Sequence, residues 1–147
     1  MPSFSLAVVV LAFLGRSHSL SYHACDSAMG KVHSMYIPGC EVGDVCYISK
    51  GLTKPIHIRF TPNTKTQQVV TVVHVKVGWA SIPVRLTHPT SCFLIPPLPL
   101  KRASPYEYVF NMSIENSAPS FTGKIKWELK NEMGAGLACV EFLGGIR

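Results

Sequence analysis

Apolar and polar positions alternate along this chain with a period of two, most clearly over residues 106–114. There Tyr106, Tyr108, Phe110, Met112 and Ile114 interleave with Glu107, Val109, Asn111 and Ser113. Successive side chains of a strand point to opposite faces, so the pattern predicts a strand with one buried and one wet face. The same alternation predicts strands around Ile56, Ile58 and Phe60, with His57 and Arg59 outward, and around Ile125, Trp127 and Leu129, with Lys124, Lys126, Glu128 and Lys130 outward. A Val-rich run over residues 69–77 sets Val73, Val75 and Val77 against Val72, His74 and Lys76 and stops at Gly78. Shorter strands are predicted over residues 31–37, 45–49, 82–86 and 137–142, separated by turn signals such as Pro38-Gly39, Lys50-Gly51, Pro62-Asn63 and His88-Pro89.

No stretch carries a helical period. Short, evenly spaced, alternating strands predict an all-β antiparallel sandwich or barrel in one domain. Cys92 to Pro99 (CFLIPPLP) stands apart, being apolar yet carrying Pro96, Pro97 and Pro99. Proline cannot donate to a ladder, which argues against a central strand, so a loop that covers or lines an interior space is expected here.

The apolar run over residues 6–14 is too short to cross a bilayer, which takes roughly 20 residues. The small residues Ser17 and Ser19 that follow fit cleavage before Leu20. Residues 1–19 are therefore expected to be a signal peptide and residues 20–147 a single domain, secreted, with the lysosomal lumen as the other destination. The chain carries 14 Lys and Arg against 8 Asp and Glu. Without Arg16 the balance is 13 − 8 = +5. The basic residues are scattered rather than gathered in the stripe of a nucleic-acid binder. Attraction to an anionic lipid surface is the sharper reading of the excess.

Catalytic and metal chemistry find no constellation. There is no GxSxG elbow, HExxH, P-loop or CxxC. Asp26 and Asp44 each stand beside a cysteine, and no two of His23, His33, His57, His74 and His88 have the i, i+4 spacing of a helical metal site. The chain reads as neither an enzyme nor a holder of a metal or cofactor. Asn111-Met112-Ser113 is a glycosylation sequon, with Asn111 on the wet face of its strand. The five cysteines, Cys25, Cys40, Cys46, Cys92 and Cys139, are an odd number. In an oxidising compartment the leftover thiol is buried, reactive or the relic of a lost bridge.

The cysteine spacing, taken with Ile37-Pro38-Gly39-Cys40, Cys46-Tyr47-Ile48-Ser49-Lys50-Gly51, Ile82-Pro83-Val84, Tyr106-Glu107-Tyr108, Pro119-Ser120, Lys126-Trp127-Glu128-Leu129 and Leu137-Ala138-Cys139, resembles the ML (MD-2-related lipid-recognition) family. The resemblance spans residues 20–147. It implies an immunoglobulin-like β-sandwich of two antiparallel sheets with an apolar lipid cavity between them. It also implies the disulfides Cys25–Cys139 and Cys40–Cys46. The family partner of Cys92 stands about six positions on, where this chain has Leu98, so Cys92 is implied to be a free thiol on a loop without its staple. The lipid-binding positions of the family's cholesterol carrier fall on Ile37, Ile48, Val84, Ile114, Ala118, Pro119, Trp127 and Val140. Val84 and Ala118 stand where that carrier has large aromatics, which implies a wider mouth. The implied function is a secreted, monomeric carrier of a sterol or other apolar lipid, working with anionic membranes or a lipid-accepting membrane protein. Innate recognition of a microbial glycolipid and transport of a semiochemical or fatty acid are the alternatives. Without a ligand, the same inward residues would equally fill a closed sandwich core.

Overall fold

The computed structural model describes residues 20–147; the expected signal peptide over residues 1–19 lies outside them. Ten strands form among the described residues: β1 (Tyr22–Ala24), β2 (Gly30–Tyr36), β3 (Cys46–Ile48), β4 (Thr53–Pro62), β5 (Val70–Val77), β6 (Ala80–Val84), β7 (Phe93–Ile95), β8 (Tyr106–Ser113), β9 (Phe121–Lys130) and β10 (Gly136–Ile146). One sheet runs β1-β10-β9-β5-β6, with β3 joined to β10, and the other runs β2-β4-β8-β7. The fold is the expected two-sheet sandwich. Every pairing is antiparallel except β3 against β10, which is parallel.

Alternation decides which face each strand buries. Tyr106, Tyr108, Phe110 and Met112 of β8 face inward while Glu107, Val109, Asn111 and Ser113 face out. Ile56, Ile58 and Phe60 of β4 are fully buried beside them. Ile125, Trp127 and Leu129 of β9 supply the opposite wall. His57 and His74 lie on the outer faces, where their imidazoles approach Glu107 (3.1 Å) and Glu128 (4.0 Å).

The segment expected to be a covering loop is corrected in part. Phe93–Ile95 is a strand, pairing with β8 at the sheet edge, and only the prolines after it are irregular. An edge position satisfies the backbone of three residues without asking a proline to donate.

The two sheets do not approach evenly. Strand-to-strand approach between them is concentrated where β10 passes β2 and β4. There Met29 N–H donates to Gly136 O at 2.8 Å, and Gly30 lies so close to Leu137 O that a Cβ would collide with it. The Cys25–Cys139 disulfide closes the same side. At the other side β6 and β7 are the free edges of their sheets, and the sandwich splays.

Candidate functional site

The splayed side contains a hollow of about 850 Å³. Val73, Val75, Ile125, Trp127 and Phe142 line it from the six-stranded sheet, and Phe110 and Met112 from the four-stranded one. Its volume falls within the range of small-molecule sites, and its walls are predominantly apolar, as such sites are, with polar residues contributed by the segments 85–91 and 111–115. A second concavity of about 430 Å³, on the outer face of the four-stranded sheet, is lined by His33, Arg59 and Glu107. It is half the size and lies outside the space between the sheets, which suits a bulky apolar ligand poorly.

One polar tie crosses between the sheets beside the hollow. Tyr108 Oη shares a 2.6 Å hydrogen bond with Thr71 Oγ1 and accepts the Trp127 Nε1 proton at 3.2 Å. Phe110 meets Trp127 edge-on, with ring centroids 5.4 Å apart. Burial pushes the Tyr108 phenol well above its ordinary range, so it stays protonated and keeps this tie at any physiological pH. The tie fixes the indole that forms part of the hollow's wall.

Of the eight positions implied by resemblance, Ile48, Val84, Ile114, Ala118 and Trp127 line the hollow. Ile37 and Val140 do not; both are fully buried in the core. Pro119 is exposed and off the lining. Val140 points inward opposite Trp127, yet it sits in β10, the strand that passes close to the other sheet, so its space is filled by protein. Val73, Val75, Phe110, Met112 and Ile125 complete the wall, and their inward alternation was the signal that could have found them. Phe121 and Phe142 had no such signal.

The structure holds disulfides Cys25–Cys139 and Cys40–Cys46 and leaves Cys92 as a free thiol. Cys92 packs against the core, and burial pushes its thiol up, which makes it a poor nucleophile. Among the described residues no group of three His, Cys, Asp or Glu stands close enough to hold a metal, and no helix is long and apolar enough to cross a membrane.

The family model that matches is the ML domain, over residues 19–143. NPC intracellular cholesterol transporter 2 homolog a of Drosophila melanogaster is 30% identical over 131 residues, which is 88% of each chain. NPC intracellular cholesterol transporter 2 of Mus musculus is 24% identical over 143 residues, 96% of this chain and 95% of that one. Among solved structures, a Niemann-Pick type C2 protein from Japanese carpenter ant superposes with a TM-score of 0.77 at 25% identity, covering 87% of this chain and all of that one. The chain belongs to the ML domain family and, within it, is similar to the Niemann-Pick type C2 proteins.

Proposed function

We propose that this protein is a secreted, non-enzymatic carrier that holds a sterol or related apolar lipid between its sheets and moves it between membranes or through extracellular fluid. The hollow carries this reading: it is large and predominantly apolar, and it lies on the splayed side of the sandwich. An apolar guest gains about 25 cal/mol for each Å² removed from water, and filling the space restores contacts that an empty wall lacks. Native mass spectrometry of protein secreted by its own type of cell is expected to find a copurifying lipid. Protein that carries none, and that fails to take up Nile red, would leave a closed core in place of a carrier.

Anionic membranes are the proposed donor and acceptor surfaces. The β5–β6 hairpin supports this. Trp79 at its tip is 99% exposed, and Val77, Ile82 and Val84 behind it are each at least 40% exposed. Ladder register pairs Val77 with Ala80, Val75 with Ile82 and Val73 with Val84. Cross-strand partners share a face, so the hairpin's inner side continues the wall of the hollow beyond the cover of the opposite sheet. An exposed indole on such a tip suits the headgroup layer of a bilayer. Trp79→Ser is expected to slow lipid transfer between anionic vesicles by about tenfold, with Nile red affinity unchanged; an undiminished rate would remove the hairpin from the docking surface. An N-glycan at Asn111 belongs to the same reading, since that side chain is exposed.

A further inference from the structure

One row of the four-stranded sheet departs from the polar outer face that an antiparallel sandwich normally turns to water. Ladder register sets Tyr36, His57, Val109 and Phe93 side by side across β2, β4, β8 and β7. Cross-strand partners share a face, and here it is the outer one, because Tyr108 and Leu94, the neighbours of Val109 and Phe93, pack into the core. Phe93 is 65% exposed and Tyr36 48%. Ile95, two residues along β7 on the same face, is 61% exposed. A contiguous apolar strip that ends on the free edge of a sheet needs a cover or a partner to keep it from unspecific contact.

The chain carries an attachment point for a cover in the next row. Asn111 lies two residues beyond Val109 on β8 and is exposed on the same face. Its ladder partner is Pro55, and Phe93 and His57 are its diagonal neighbours, at a spacing of about 7–8 Å that a large group spans. β7 pairs with β8 only over residues 107–109, so β8 has an open flank from Phe110 onward. Asn111 and Ser113 border the hollow there. A bulky substituent on Asn111 therefore has room both over the sheet and beside it. Among the described residues the Asn111 amide has no hydrogen-bond partner to give up. Asn111-Met112-Ser113 is also the only Asn-X-Ser/Thr sequence in the chain.

We infer that Asn111 carries an N-linked glycan that lies over the Phe93 row of the outer face, and that this cover leaves the β5–β6 hairpin as the exposed apolar surface with which the protein docks. In the secretory pathway the oligosaccharide comes from a polyprenyl diphosphate donor. The bond from its anomeric carbon to the diphosphate oxygen breaks, the bond to Asn111 Nδ2 forms, and the amide proton leaves with the diphosphate. The first sugar then stands beside the Phe93 ring, whose electron-rich face attracts the C–H groups of a pyranose, and the branches extend toward Ile95. Phe93 and Ile95 belong to the four-stranded sheet and Trp79 to a hairpin of the other sheet, so covering one patch leaves the other free. Two bare patches on different sheets would let one molecule bridge two surfaces, whereas one patch gives a single docking side. This rests on the secreted-carrier reading for its compartment and gives that carrier an orientation.

Hydroxyl-radical footprinting tests it on protein secreted by eukaryotic cells, before and after PNGase F removes the glycan from the folded chain. Peptide mass spectrometry is expected to find Asn111 occupied. Oxidation of Phe93 should rise severalfold once the glycan is gone, while oxidation of Trp79, 99% exposed on its hairpin, stays the same. Asn111→Gln should match the enzymatically stripped protein, and either preparation suffices if the other fails to be secreted or stripped. An unoccupied Asn111, a Phe93 oxidised equally with and without glycan, or equal protection of Trp79 would overturn the cover. Nile red uptake by the same samples reads the carrier separately. A protected Phe93 in protein that takes up no probe keeps the cover and removes the carrier, and an unprotected Phe93 in protein that takes up probe does the reverse.

Discussion

Replacing Cys25 and Cys139 together by Ala is expected to lower the free energy of unfolding by about 5 kcal/mol, while the same change at Cys40 and Cys46 lowers it by about 2 kcal/mol. The difference comes from loop length. The first bridge spans a sequence separation of 114 and the second only 6, and a cross-link removes more freedom from the unfolded chain when it closes a longer loop. Against the 5–15 kcal/mol that holds a typical domain together, the long bridge is a large share. Its location adds to the case. It joins the end of β1 to β10 on the side where the sheets meet, next to the hydrogen bond from Cys25 N–H to Cys139 O. A sandwich splayed on its other side has fewer contacts there to resist opening. Guanidinium unfolding reads both variants, and a lower midpoint at unchanged slope would mark a stability loss without a change in compactness. Equal losses from the two bridges would show that local packing, not loop closure, sets their worth.

The strands whose inner and outer faces differ sharply in polarity were legible before any fold was known. Residues 106–114, the repeats around Ile58 and Trp127, and the Val-rich run ending at Gly78 each became a strand with the expected inner face. Three features were not legible, each for a physical reason. β7 is three residues long and is followed by prolines, so its pairing depends on an edge being available rather than on its own pattern. β10 was expected to stop at residue 142, yet it runs to Ile146 through Gly144 and Gly145. Glycine weakens a strand in isolation, but here a Cβ on Gly145 would strike Phe121 O and the Tyr47 ring, so close approach of β9 and β3 demands it. The parallel seating of β3 depends on that approach and left no local signal. The site shows the same division. Period places Trp127 and the residues near it inward, but inward is not the same as lining. Val140 and Trp127 are cross-strand partners on one face, and only the uneven spacing of the sheets, a tertiary property, puts one on the hollow and the other in packed core.

That distinction makes a pair of enlargements informative. Ile114→Trp is expected to abolish uptake of Nile red and of lipid, weakening binding by about a hundredfold, while stability stays within about 1 kcal/mol of the parent. Ile114 follows the end of β8 and is anchored by its own backbone, donating to Leu52 O at 3.3 Å and accepting from Gly51 N–H at 2.7 Å. Its side chain lines the hollow and is only partly buried. An indole there has open space to enter, so it takes the place of the guest without forcing neighbours off their rotamers. Val140→Phe should behave in the opposite way. Val140 has no exposed surface and does not line the hollow, so added volume meets a close-packed interior and costs about 1–3 kcal/mol or more, while the protein that remains folded still binds. Thermal unfolding and probe titration on both variants separate the two effects. An Ile114→Trp protein that folds and binds like the parent would place the guest elsewhere. A Val140→Phe protein that loses binding but not stability would show that the hollow reaches behind Trp127 into the space β10 is taken to fill.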